Sequence, residues 1–173
     1  AEARATLGKM HCGGQGGPID FAEARRLLGL AAAQGHTDAQ AALGAMHYGG
    51  QGGPVDFEQA KVLAEPAAAQ GHAEALSMLG TMHYDGDGGP QNFAVARRLL
   101  ALAAAQGDAD AQARLGDMHS QGQGGPTDLA EARRLYELAA AQGHTGVKPI
   151  LAAINKAEAE QLAKEYADAD AMM

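Results

Sequence analysis

The sequence predicts an all-α solenoid, and three observations carry that prediction. Residues recur every 36 positions without insertion or deletion: Leu7-Gly8, Leu43-Gly44, Leu79-Gly80 and Leu115-Gly116 mark one phase. Pro18, Pro54, Pro90 and Pro126 mark a second, and each Ala-Ala-Ala-Gln run closes on Gly35, Gly71, Gly107 or Gly143. At a fixed period of this length, each unit buries its apolar face only by stacking on its neighbours. The third observation is the kind of apolar residue present. The hydrophobic fraction is 46%, much of it alanine and only 4% aromatic, and small side chains let helices approach closely.

Residues 37–72 serve as the unit. Asp38 to Tyr48 reads as a first helix, with Ala39, Ala42, Leu43, Met46 and His47 spaced to share a face. The run Gly49-Gly50-Gln51-Gly52-Gly53-Pro54 breaks it, and its glycines can take the positive φ of a tight turn. Asp56 then caps a second helix. The cap recurs as Asp20, Asp56, Asn92 and Asp128, whose side-chain oxygens can accept from a free backbone N–H. Glu23, Gln59 and Glu131 follow three positions later and complete a capping box, which Val95 breaks. Just after the cap, Phe21, Phe57, Phe93 and Leu129 are apolar anchors for the helix. The second helix runs to Gln70 and stops at Gly71. Pro66 stands where the other copies have Leu30, Leu102 and Leu138, and an interior proline, at a cost of ~3 kcal/mol, predicts a kink.

Four repeats (1–36, 37–72, 73–108 and 109–144) thus fill residues 1–146, and residues 147–173 read as a C-terminal capping helix. Val147, Ile150, Leu151 and Ile154 keep the first-helix pattern, Leu162 and Tyr166 extend the stripe, and Glu160 and Lys164 are placed to pair. Ala1 is in phase with Thr37, a boundary that leaves room for more protein upstream.

The unit Leu-Gly-x-Met-His-x-x-Gly-x-Gly-Gly-Pro-x-Asp-Phe-x-x-Ala, followed by Ala-Ala-Ala-Gln-Gly, resembles the Sel1-like repeat, a tetratricopeptide-like α/α motif. The resemblance implies a right-handed superhelix of antiparallel helix pairs with first helices lining the concave side. It also implies an adaptor or scaffold in multiprotein complexes. Two positions depart from the family pattern. Histidines (His11, His47, His83, His119) replace the usual aromatic, and leucines (Leu27, Leu63, Leu99, Leu135) replace the large aromatic of the second helix. Some cysteine-rich members, with disulfide-paired helices, have a proposed β-lactamase-like role. The lone Cys12 weakens that reading here.

The net charge of −8 disfavours nucleic acid and anionic membranes and suits a basic or mixed protein partner. No run approaches the ~20 apolar residues of a membrane helix. The compartment is left unassigned. The histidine ladder is expected to be structural, each ring packed and hydrogen-bonded: equivalent helices lie ~8–10 Å apart, whereas two ligands of one zinc sit ~2.0–2.1 Å from it. No Gly-Lys-Ser/Thr loop is present for nucleotide phosphates. Neither serine, Ser77 or Ser120, sits in a nucleophile motif. No metal, cofactor or catalytic site is expected. Arg25-Arg26, Arg97-Arg98 and Arg133-Arg134 read as a solvated face paired locally to Glu23 and Glu131.

Where the copies differ, a recognition face is free to diversify. The divergent first-helix sets are Arg4/Gln40/Leu76/Gln112, Thr6/Ala42/Met78/Arg114, Lys9/Ala45/Thr81/Asp117 and Cys12/Tyr48/Tyr84/Ser120. From them, Lys9, Tyr48, Thr81, Tyr84, Arg114 and Asp117 are the expected partner-binding residues, and the histidines and caps are the structural ones. The expected function is a non-catalytic protein-interaction module or accessory subunit within a larger assembly. The alternative is a purely structural subunit docked by its N-terminal end and outer helices.

Overall fold

The computed structural model describes residues 1–15 and 17–171, with residue 158 and residues 161–171 described by backbone alone. Among the described residues the secondary structure is helical throughout. The first repeat holds α1 (Glu2–Gly13) and α2 (Phe21–Ala32), and the second α3 (Thr37–Tyr48) and α4 (Phe57–Ala69). The third holds α5 (Ala73–Asp85) and α6 (Phe93–Ala105), and the fourth α7 (Ala109–Gln121) and α8 (Leu129–Ala141). A 3-10 turn at Thr145–Val147 leads into α9 (Lys148–Ala171). Each helix packs chiefly on its two sequence neighbours, giving an α/α solenoid. Among the described residues no helix is long and apolar enough to cross a membrane.

The Leu-Gly phase has a packing cause. A Cβ on Gly8 would lie 2.8 Å from Leu28 Cγ, on Gly80 2.7 Å from Leu100 Cγ, and on Gly116 2.7 Å from Tyr136 Cε1. Each glycine is where a first helix crosses its second helix at close range. Beside it, Leu43, Leu79 and Leu115 and then Met46, Met82 and Met118 go into the core, while Ala24, Ala60, Ala96 and Ala132 let the helices approach. Leu28 and Leu100 are fully buried, each worth about 1.5–3 kcal/mol relative to exposure.

The second helices close as the glycines predict. Gly71 has φ 81° and Gly107 φ 91°, and the next residues, His72 and Asp108, donate their N–H back to Ala67 and Ala103. α4 continues through Pro66 to Ala69 and is 13 residues long, as α6 and α8 are.

The cap side chains of Asp20, Asp56, Asn92 and Asp128 accept from the N–H of Glu23, Gln59, Val95 and Glu131. The expected capping box needs correction. The cap N–H groups donate to the carbonyls of His11, His47, His83 and His119, at 2.8–3.1 Å, rather than to the residue three positions on. Glu23 and Glu131 are thereby free to pair with Arg26 and Arg134. A valine at position 95 consequently leaves this bond intact.

Three further expectations change. Leu129 is 67% exposed and anchors nothing, whereas Phe57 packs tilted against Tyr48 and Phe93 edge-on against Tyr84, with ring centroids 5.6 and 5.3 Å apart. A large second-helix aromatic exists after all: Tyr136, one place beyond Leu135, is buried. The doublet arginines are not all a solvated face. Arg25 donates to the carbonyls of Met46 and Pro54, and Arg97 to those of Gln123 and Pro126 and to the His119 ring. Both reach across the junction to clamp the next repeat's glycine loop. In α9, Glu160 pairs with Lys156 at 3.8 Å; the side chains of Leu162, Lys164 and Tyr166 lie outside the described residues.

Candidate functional site

The first helices deliver the divergent residues to one side of the stack, where most of them are already engaged. Lys9 Nζ lies 3.2 Å from Asp38 Oδ2, and that pairing holds the Asp38 carboxyl below its usual range. Tyr48 is half-buried on Phe57, and its hydroxyl donates to Asp87 Oδ2 of the next repeat at 3.1 Å. Burial first, and then Asp87, push its pKa up to about 12.

Further along, Arg114 Cζ sits 5.3 Å above the Tyr84 ring while its Nη1 lies 3.7 Å from Asp85 Oδ1. This pairs a cation–π contact with an ion pair. Asp117 Oδ1 accepts from the Tyr136 hydroxyl at 2.8 Å, and burial with that carboxylate raises the Tyr136 pKa to about 12. Thr81, Arg114 and Asp117 meet in one notch of about 350 Å³, which Asp110 and His144 also line. Tyr84 supports the notch from below through Arg114. Tyr48 and Lys9 stand outside it, toward the N-terminal end. The notch is polar and carries both signs of charge.

Two of the divergent sets are partly core. Leu76 and Gln112 are each 4% exposed and Met78 8%. Gln112 donates to the Ala104 carbonyl at 3.2 Å and accepts from Gln142 at 2.8 Å. Divergence at those positions tracks packing between repeats rather than a surface.

Among the ladder histidines, His119 accepts from Arg97 Nη2 at 2.8 Å at its Nδ1, since a guanidinium has only donors. His47 differs from the expectation: its Nδ1 is buried without a hydrogen-bond partner. Burial depresses the pKa of His47, His83 and His119, and the neighbouring Arg25, Lys61 and Arg97 depress them further.

A second histidine series escaped the sequence reading. His36, His72 and His144 stand just before α3, α5 and the 3-10 turn, and each faces the acid near the head of its own repeat, Glu2, Asp38 and Asp110, at 3.0, 3.5 and 3.3 Å. At the remaining rung Asp108 replaces histidine, caps Ala111 at 2.7 Å and accepts from Ser77. The signal was present as a spacing of 34 residues between acid and histidine. Among the described residues no three His, Cys, Asp or Glu side chains are grouped as a metal site would require.

Comparison with known proteins gives a consistent picture. The profile of the Sel1 repeat matches residues 1–36, 37–72, 73–108 and 109–144. A protective antigen of uropathogenic Escherichia coli strains with an SLR fold superposes with TM-score 0.75 at 33% identity, covering 84% of this chain and 31% of that one. A Sel1 repeat protein from Oxalobacter formigenes gives TM-score 0.73 at 33% identity, covering 88% and 44%. A Sel1 repeat protein from Klebsiella pneumoniae, at 20% identity and TM-score 0.57, shares the fold. The chain thus spans less than half the length of the first two. No curated protein sequence matches it.

Proposed function

The chain belongs to the Sel1 repeat family, and we propose that it works as a non-catalytic adaptor that binds a partner protein through its first-helix face. The observation that carries this reading is the notch where Thr81, Arg114 and Asp117 converge over Tyr84. Thr81 and Arg114 differ between copies and packing does not explain them as it explains Leu76, Met78 and Gln112, while Asp117 also holds the buried Tyr136 hydroxyl. Arg114 is held by an aromatic face and one carboxylate, which orders its guanidinium before any partner arrives and so lowers the entropic cost of binding. Lys9, Tyr48 and Asp87 extend the same side toward the N-terminal end and suit a partner segment carrying both signs of charge.

The test is cross-linking mass spectrometry on the protein with its native associates, followed by affinity measurement with the partner recovered. Thr81→Arg fills the notch from a half-buried position and should weaken that partner by tenfold or more, about 1.4 kcal/mol, with the melting temperature unchanged. Unaltered affinity would overturn the reading.

The second reading is a structural subunit docked by its N-terminal end and outer helices, and Leu30, Leu102 and Leu138, exposed on the second helices, favour it. In that case partner cross-links gather around α1, and Thr81→Arg leaves them in place.

A further inference from the structure

At two junctions an arginine from a second helix fills the space under the next repeat's loop. Arg25 occupies it between repeats one and two, and Arg97 between repeats three and four. A Cβ built on Gly53 or Gly125 collides with the Nη1 of that arginine, whereas one built on Gly89 meets nothing within 4 Å. Lys61 stands at this phase in repeat two. It makes no hydrogen bond or ion pair among the described residues. In the guanidinium's place is a cavity of about 190 Å³, lined among others by Lys61, Met82, His83, Asp87, Gly89 and Pro90. Met82, His83, Asp87 and Pro90 are the counterparts of the groups that hold the arginines elsewhere: the Met46, Gln123, Pro54 and Pro126 carbonyls and the His119 ring.

We propose that this cavity binds a guanidinium group, supplied by an arginine side chain of a partner protein. Pro90 stands where both intramolecular arginines find a carbonyl, and Met82, Asp87 and His83 each stand where one of them finds an acceptor, so the site is built before the ligand arrives. Its charge is also better suited to a cation than its counterparts are. Asp87 replaces Gln51 and Gln123, and the Tyr48 hydroxyl holds its carboxylate in position at 3.1 Å. The His83 ring, kept neutral by burial, offers an acceptor as His119 does for Arg97. Against these stands the Lys61 ammonium. Lys61 is half-buried, and exposed Glu65 lies one turn further along α4, so the ammonium has a partner to swing toward. The cavity of about 190 Å³ has ample room for a guanidinium head. Its rim is formed by exposed Gly88, Gly89, Pro90 and Asn92, over which an arginine within a chain would enter.

The test is an NMR titration of the intact protein with methylguanidinium and with N-acetylarginine amide. Both should shift the amides of residues 83–92 saturably and leave residues 47–56 and 119–128 unmoved, those loops being internally occupied. Lys61→Ala should bind about fivefold more tightly, because a like charge is removed. Lys61→Arg should not bind at all, because its own side chain fills the site. Several results would overturn the proposal: no saturable shift in either the wild type or Lys61→Ala, equal shifts at all three loops, or a response to inorganic phosphate in place of methylguanidinium. Binding of methylguanidinium with exclusion of the blocked arginine would refute a chain-borne ligand.

Discussion

The junction between the second and third repeats and the junction between the third and fourth share a backbone and differ in what crosses it. In the later one, Arg97 reaches the Gln123 and Pro126 carbonyls, and within the fourth repeat beyond it Gly116 lies against the buried ring of Tyr136. In the earlier one Lys61 leaves the loop unclamped. Within the second repeat Ala64 holds the place of Leu28, Leu100 and Tyr136, so Gly44 is met by Met78 Cε from the next repeat. Val62 adds an exposed apolar residue to the same helix where other copies carry arginine, and Pro66 takes the place of leucines that are themselves exposed. The lesson is that a strict period can hide unequal junctions. Backbone hydrogen bonds keep the register, while side chains decide how firmly each pair of repeats is joined.

The contrast makes its largest claim in the core. Tyr136→Ala empties a site that is 2% exposed and should cost about 3–5 kcal/mol, the range for deleting a large buried aromatic, measured by urea denaturation. Less than 1 kcal/mol would mean that repeat four collapses to the Ala64 arrangement. Next come the clamps. Arg97→Ala removes charge-assisted bonds to the half-buried Gln123 carbonyl and His119 ring and to the exposed Pro126 carbonyl, together worth about 1.5–3 kcal/mol. Lys61→Ala should stay within about 0.5 kcal/mol, as for an unengaged surface residue. Equal losses would erase the difference between the two junctions.

The smallest effect is in pH. His47, His83 and His119 have folded pKa values below the ordinary 6.5 because burial disfavours the charged ring. The unfolded chain therefore takes up these protons first on acidification. Stability is complete above pH 6.5 and falls as the pH drops from there toward the folded values. The melting temperature should be lower at pH 5.5 than at 7.5, and replacing all three histidines with glutamine should narrow that gap. An unchanged gap would place the acid sensitivity elsewhere.

The period and its repeated residues were enough to read the helical architecture, the second-helix caps and the terminating glycines, because these depend on neighbours a few residues away. Contacts between repeats were harder to read. Arg25 and Arg97 look like surface charges when judged against Glu23 or Arg98, yet their bonds span 21–29 residues. The same limit hid the rungs of His36, His72 and His144. It also made Leu76, Met78 and Gln112 look like recognition residues, since divergence alone cannot separate a repacked core from a free surface. The notch was partly visible: Thr81, Arg114 and Asp117 were singled out. Asp110 precedes Arg114 by one turn of α7 and was missed, and His144 joins them only through the stacking of helices.

Native-state hydrogen exchange across the loops after α3, α5 and α7 tests the inequality of the junctions most directly. In the wild type, amides of residues 86–92 should exchange faster than those of residues 50–56 and 122–128, and Lys61→Arg should slow them to match. Equal protection in the wild type, or no slowing in Lys61→Arg, would contradict the account.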